Sequence, residues 1–170
     1  MDWSDTVLFE PKLFVGDTAA HEGIREFHVQ GVTLLQGNIG SYDDTDFAIG
    51  SLQRFHASGR RVVLCNTSGL EENYTSVERQ LGRALIEEGD TDLLISCGKG
   101  GREVAIGARD QGLHLSKVIV CTELPSACEV LSNQVLRGDT VLLLGVDDAV
   151  RARLVLSLEK RLAIPARAVA

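Results

Sequence analysis

Short apolar runs alternate with longer amphipathic stretches from residue 30 onward. The amphipathic stretches repeat apolar residues at spacings of three and four, which predicts helices, whereas the short runs are rich in Val, Leu and Ile and predict strands. The predicted strands are residues 32–36, 61–65, 92–96, 117–121 and 140–144. The last four are almost continuously apolar, which is typical of parallel strands covered by helices on both faces.

Turn residues delimit the helices between these strands. The predicted helices are residues 44–57, 74–88, 101–111 and 125–136, followed by a last helix that starts at Asp147 or Asp148. Phe47 and Val77 are predicted to face the core, and Ser58-Gly59 is predicted to close the first helix. Strands that alternate with helices form right-handed crossovers. The pattern therefore predicts an α/β, Rossmann-like three-layer domain with a mostly parallel sheet of five to six strands.

The first thirty residues follow the pattern less well. Residues 6–9 and 12–15 are short apolar runs broken by Pro11, which predicts an edge hairpin or an antiparallel strand beside the main sheet. Residues 21–29 are predicted to form a short helix. With no linker or internal repeat, residues 1–170 are expected to form one domain: an extension (1–30), the core (31–163) and a tail (164–170).

Composition narrows the classes of partner. Hydrophobic residues make up 44% of the chain but aromatic residues only 5%, so the core must be aliphatic. The net charge is −7, and the sequence shows no stripe of basic residues that could bind the phosphates of a nucleic acid. Nucleic-acid binding is therefore not expected. The sequence has neither a signal-peptide pattern nor an apolar run of membrane-spanning length, so a cytoplasmic protein without membrane contact is expected.

Four cysteines bear on the redox chemistry of the chain. Cys65, Cys97, Cys121 and Cys128 are expected to be reduced thiols in an unexported protein, and their spacing does not fit a zinc site. No metal is therefore expected. Cys97 precedes a glycine-rich helix start, a position that can lower the pKa of a thiol and make it nucleophilic.

The small polar residues cluster in the turns after the strands. Ligands of open parallel sheets bind at the carboxyl ends of the strands, so these turns supply the candidate ligand-binding residues. They are Asn38, Ser41, Asn66, Thr67, Ser68, Gly98, Lys99, Gly100 and Asp147. The glycines and Lys99 suit an anion, although a tight structural turn uses the same glycines. The Asn, Ser and Thr side chains are more often used as helix caps than for binding, and a carboxylate such as Asp147 is also favoured by the dipole at a helix start.

The order of these landmarks resembles the C-terminal domain of the Mur ligases, with the closest resemblance to the ligase that adds D-alanyl-D-alanine. The resemblance covers residues 32–161. It rests on the polar turn after Leu35, the stretch 62–71, the stretch 93–99 and the stretch 137–145 with the helix that follows. It implies the same Rossmann-like fold and a role in ATP-dependent addition of amino acids to the peptidoglycan precursor.

The departures from that family concern its functional motifs. Residues 36–41 replace a D-x-Y-N-x-N-like motif and keep only an Asn, residues 65–71 lack the Asp of G-D-M-x-E-L-G, and residues 144–147 lack both cations of K-G-S-R. No part of the sequence resembles the P-loop ATPase domain of these ligases, so this polypeptide alone is not expected to catalyse ligation.

Three functions follow as hypotheses. The first is a stand-alone, catalytically degenerate Mur ligase C-terminal-like domain that binds a nucleotide-like or small anionic ligand, or a partner protein, in cell-wall precursor metabolism. The second is a small enzyme that holds a phosphorylated substrate with Asn66, Ser68, Lys99 and Asp147. The third is a homodimeric interaction module that uses residues 7–15 or the last helix. No cofactor is certain, and a nucleotide is the candidate.

Overall fold

The computed structural model describes residues 12–13, 24–39, 42–55, 58–70 and 75–163. The strands are β1 (Lys12–Leu13), β2 (Arg25–Val29), β3 (Val32–Gly37), β4 (Arg61–Asn66), β5 (Leu93–Cys97), β6 (Val118–Val120) and β7 (Thr140–Leu144). The α-helices are α1 (Tyr42–Arg54), α2 (Thr75–Glu87), α3 (Gly101–Asp110), α4 (Leu124–Gln134) and α5 (Asp148–Ala163). Short 3₁₀ turns follow β4 and precede β6.

The strands form a single sheet in the order β1-β2-β3-β7-β4-β5-β6. The five strands predicted from the apolar runs are β3 to β7, and all their mutual pairings are parallel. The two N-terminal strands add an antiparallel edge through β2, which pairs with β3. The predicted α/β, mostly parallel Rossmann-like fold is confirmed.

The helices cover both faces of this sheet. Buried side chains of α1, α2 and α3 belong to one core cluster, and those of α4 and α5 belong to the other. Successive strand residues alternate between the two clusters, as strand geometry requires: Val63 and Cys65 face the first, and Val62 and Leu64 face the second. Burial on both faces explains why these strands are apolar at every position.

The helix predicted for residues 21–29 is wrong, because Arg25–Val29 is strand β2. Val29 pairs with Val32 across a two-residue turn in which Gln30 and Gly31 have φ angles of 49° and 81°. Positive φ at both central positions is the signature of a hairpin turn that matches strand twist, and glycine favours it. The predicted N-terminal antiparallel strand is confirmed at Lys12–Leu13, whereas residues 6–9 lie outside the described residues.

Two details of the predicted helices are also wrong. Phe47 and Val77 were expected in the core, but they are 37% and 38% exposed. In α1 the inward face consists of Ala48, Ile49 and Leu52, and Phe47 instead lies beneath the guanidinium of Arg54 at 5.3 Å. The helix ends at Arg54, and Gly59 does not adopt the left-handed conformation of a helix-closing glycine.

Helices α2 and α3 pack with their backbones in close contact. A Cβ on Gly82 would overlap the carbonyl oxygen of Val104, and a Cβ on Gly107 would overlap that of Arg79. Each glycine thus admits the backbone of the neighbouring helix. This contact sets the position of α2 relative to the first turn of α3. Within the described residues, no helix is long and apolar enough to cross a membrane.

Candidate functional site

The candidate site lies where the strand order reverses. The chain moves from β3 to β4, β5 and β6 in one direction and then returns to β7, which lies between β3 and β4. The helix that follows β7 therefore lies on the opposite face from the helices that follow β3 and β4. Such a reversal opens a crevice at the carboxyl ends of the strands, where open α/β sheets bind their ligands.

The turn after β4 is held together by its own polar side chains. Asn66 Oδ1 accepts hydrogen bonds from Ser68 N at 3.3 Å and from Ser68 Oγ at 2.9 Å. Asn66 Nδ2 donates to the carbonyl oxygen of Gly145 at 2.9 Å, which ties this turn to the end of β7. The capping role expected as the alternative for Asn66 is therefore present. Ser68 remains exposed, whereas Asn66 is 7% exposed.

Thr67 joins the turn after β4 to the turn after β5. Its hydroxyl donates to the carbonyl oxygen of Cys97 at 2.9 Å and accepts from the Gly100 amide at 2.9 Å. Thr67 is 2% exposed, so the link is shielded from water. Gly98 has a φ of +86°, and a Cβ there would lie 2.7 Å from the Thr67 hydroxyl. The glycine at 98 is therefore required by the close approach of the two turns.

Glu78 of α2 is a feature of this region that the sequence pattern did not reveal. A Cβ on Gly100 would overlap the Glu78 carboxylate, so this carboxylate lies against the turn that precedes α3. Burial raises the pKa of Glu78, and the nearby Glu103 raises it further. An anion at the Gly98–Gly100 turn would meet this negative charge. Lys99, the middle residue of this turn, is exposed.

The end of β7 carries a second polar network. Gln36 of β3 is 6% exposed, and its Nε2 donates to the Val146 carbonyl oxygen at 2.8 Å and to Asp148 Oδ1 at 3.2 Å. Arg25 binds both carboxylate oxygens of Asp148 at 2.5 and 3.0 Å. The hydrogen bond from Arg25 holds the pKa of Asp148 below its usual range, helped by Gln36 and Arg151. A polar residue inside an apolar strand was the sequence signal for Gln36.

Asp147 caps the last helix. Its Oδ1 accepts a hydrogen bond from the Val150 amide at 2.8 Å, while the side chain stays exposed. Asn38, after β3, is also exposed. The strand ends therefore bring Asn38, Ser68, Lys99 and Asp147 to one edge. Ser41 lies outside the described residues.

The strand-end cysteines do not supply an activated thiol. Burial raises the pKa of Cys65 to about 12 and that of Cys97 to about 11. The lowered pKa considered for Cys97 is therefore wrong, because the thiol is buried in the core between β5 and α4 and is not directed toward the helix start. In the described part of the chain, no group of three His, Cys, Asp or Glu residues is arranged to hold a metal ion.

Comparisons with known proteins bear on the fold. No protein-family model matches the chain, and no curated protein matches it. Several solved structures match. MurF ligase from Thermotoga maritima in complex with ADP has a TM-score of 0.56 and 22% identity, over 81% of this chain and 30% of its own. MurF from Acinetobacter baumannii has a TM-score of 0.61 and 18% identity, over 79% of this chain and 30% of its own.

A third match is a single domain. It belongs to a putative UDP-N-acetylmuramate:L-alanyl-γ-D-glutamyl-diaminopimelate ligase from Haemophilus ducreyi, with a TM-score of 0.55 and 14% identity, over 80% of this chain and 95% of that domain. The fold is that of a Mur ligase domain. The Mur ligase-like architecture implied by the order of the sequence landmarks is thus confirmed, and the chain spans about 30% of the length of the two MurF ligases.

Proposed function

We propose that this chain is a Mur ligase C-terminal-like domain that binds a small anionic or nucleotide-like ligand along the carboxyl edge of its sheet, without catalysing ligation itself. One observation carries this proposal. Buried Asn66 and Thr67 hydrogen-bond the turns at the strand ends to one another. Asn38, Ser68 and Lys99 are exposed in the turns at the same edge. Turns that are held rigid from below lose little entropy when a ligand binds.

The dimensions of the edge suit a nucleotide. In the order β3-β7-β4-β5, Asn38 and Lys99 follow strands that are three spacings apart. At about 4.8 Å per spacing, the distance along the edge is roughly 14 Å. Lys99 would contact the anionic group, and Ser68 and Asn38 would hydrogen-bond the neutral part of the ligand. Asp147 keeps one carboxylate oxygen for a ligand hydroxyl, because the other caps α5.

The fold likeness supports a nucleotide as the first ligand to test, since the Thermotoga maritima MurF structure contains ADP. From the order of its sequence landmarks, we propose that the chain is related to the ligase that adds D-alanyl-D-alanine. We propose that it acts in cell-wall precursor metabolism. The alternative of a small enzyme would hold its substrate with Asn66, Ser68, Lys99 and Asp147. It is less favoured because Asn66 is buried and both polar atoms of its side chain are bonded within the fold.

Ligand titrations with a matched lysine variant test the proposal. ATP, ADP, a UDP-sugar and D-alanyl-D-alanine are titrated calorimetrically and in thermal-shift assays. Lys99→Ala removes a charge-assisted contact and should weaken binding by about tenfold, equivalent to about 1.4 kcal/mol. Lys160→Ala, on the exposed side of α5, is the control and should bind as the unmodified protein does. If none of these ligands binds or raises the melting temperature, the ligand-binding function is refuted.

Glu78 provides an independent test at the same edge. Glu78→Gln removes a negative charge beside Gly100 and should tighten the binding of a phosphate-bearing ligand several-fold. For the unmodified protein, affinity should rise as the pH falls through the raised pKa of Glu78, because protonation removes the same charge. Glu129→Gln on α4 is the control for net charge. An unchanged affinity in Glu78→Gln would show that the anion binds elsewhere than at the Gly98–Gly100 turn.

A further inference from the structure

A surface depression lies at the end of α3, where the chain turns back toward the start of β6. Its volume is about 440 Å³, which is within the range of small-molecule sites. The residues that line this α3 depression include Ile106, Arg109, Asp110, Leu113, His114 and Leu115. The ten residues of α3 rise by about 15 Å, so the α3 depression is well separated from the Gly98–Gly100 turn at the other end of the helix.

Two side chains offer unused hydrogen-bond donors to the α3 depression. Arg109 is exposed, and its guanidinium bonds to no acceptor in the part of the chain that the structure describes. His114 Nδ1 accepts a hydrogen bond from the Ser116 backbone amide at 3.2 Å. An imidazole nitrogen that accepts carries no proton, so the neutral ring holds its proton on Nε2 and can donate from there.

The acceptors around the α3 depression are already engaged. The carbonyl oxygens of the last helical turn accept backbone hydrogen bonds, such as the one from the Leu113 amide to the Ala108 oxygen at 3.1 Å. The Asp110 carboxylate lies 3.7 Å from the guanidinium of Arg83 on α2. The groups left for a ligand are therefore donors, which suit an anion better than a cation.

An apolar wall lies beside these donors. Leu113 is 9% exposed, but Leu115, in the 3₁₀ turn before β6, is 62% exposed. Ile106 of α3 completes the wall. No atom lies within 4 Å of a Cβ placed on Gly112, so the space at the end of the helix is open. The α3 depression thus offers apolar contact and hydrogen-bond donors to the same ligand.

We propose that the α3 depression binds a small monocarboxylate with a branched aliphatic tail. The Arg109 guanidinium donates charge-assisted hydrogen bonds to the carboxylate, whose planar geometry it matches. His114 Nε2 donates to the same group. The tail packs against Leu113 and Leu115 and removes apolar surface from water. This site is independent of the carboxyl edge of the sheet, so either site can exist without the other.

NMR titrations of the isotope-labelled chain with three ligands of similar shape test the proposal. Isocaproate should give saturable shifts in the amides of residues 106–115. Isocaproamide lacks the negative charge and should bind about tenfold more weakly or worse. Isoamylamine carries a positive charge and should not bind. The proposal is overturned if isocaproate gives no saturable shift in this segment, or if the amide or the amine binds as tightly as the carboxylate.

Matched variants locate the charge contact. Arg109→Gln should weaken isocaproate binding about tenfold or more. Arg102→Gln removes the same charge from an exposed position in the first turn of α3 and should leave the affinity unchanged. Equal affinities in the two variants would overturn the assignment of the carboxylate to Arg109.

A second pair of variants tests the apolar wall. Leu115→Ala shortens the exposed side of the wall and should weaken isocaproate binding several-fold. Leu156→Ala, on α5, truncates a leucine of similar exposure, 57%, and should bind isocaproate as the unmodified protein does. Both side chains are largely exposed, so both variants should fold. An unchanged affinity in Leu115→Ala would show that the tail does not lie in the α3 depression.

Discussion

The contact between α2 and α3 gives the sharpest test of the packing beneath the site. A Cβ on Gly107 would lie 2.8 Å from the Arg79 carbonyl carbon and would overlap the carbonyl oxygen itself. These atoms belong to the backbone, so they cannot rotate away, and α2 would have to move as a unit. Overpacking of this kind costs about 3 kcal/mol, the upper end of its usual range. The helix propensity of alanine returns about 1 kcal/mol. Gly107→Ala should therefore lower the free energy of unfolding by about 2 kcal/mol.

Gly50 of α1 is the matched control. No atom lies within 4 Å of a Cβ placed on Gly50, so Gly50→Ala gains helix propensity without a clash. It should stabilise the protein by about 0.5–1 kcal/mol. Urea unfolding should show opposite shifts of the midpoint at the same slope. In thermal scans, Gly107→Ala should lower the melting temperature by about 4–8 °C, and Gly50→Ala should raise it by about 1–4 °C. Equal shifts of the same sign would refute the backbone contact between α2 and α3.

The remaining predictions concern a buried carboxylate and two buried thiols. Asp139 is 2% exposed and accepts hydrogen bonds from the backbone amides of Arg60 and Leu136. Asp139→Ala should therefore lower the free energy of unfolding, measured in urea, by about 3 kcal/mol. A loss below about 1 kcal/mol would contradict this structural role. Burial raises the pKa values of Cys65 and Cys97 from 9.0 to about 12 and about 11. Above pH 9 the folded state therefore binds more protons than the unfolded state, so the free energy of unfolding should fall as the pH rises from 9 toward 11. Both thiols should react with a thiol reagent at pH 8 only after unfolding, and fast labelling of the native protein would refute their burial.

The apolar pattern was sufficient to locate the five parallel strands and the helices between them. Strands such as 62–65 and 141–144 are buried on both faces, so every position is under the same constraint, and that constraint is visible in a single sequence. The helix predicted at residues 21–29 failed because β2, which lies between the two-residue strand β1 and β3, is only partly buried. Its alternating Phe27 and Val29 and its Gln30-Gly31 turn carried a weaker signal than the core strands did.

The candidate site was only partly predictable for a related reason. The turn residues Asn66, Thr67, Gly98 and Asp147 could be placed at one edge from the sequence, because all parallel strands end on the same side of the sheet. Their roles depend on which strands are neighbours. The link from Asn66 to Gly145 exists because β7 returns between β3 and β4, an order that hydrophobic periodicity does not encode.

The sequence by itself determined the fold class, the positions of the five parallel strands and the edge at which these strands end, because these follow from local periodicity and burial. The tertiary structure alone decided which charges meet there. Glu78 reaches the Gly98–Gly100 turn because the paired glycines let α2 approach α3, and Asp148 meets Arg25 because β2 folds back beside β3. Contacts between residues far apart in the chain depend on packing between whole elements, and no local pattern of polar and apolar positions specifies them.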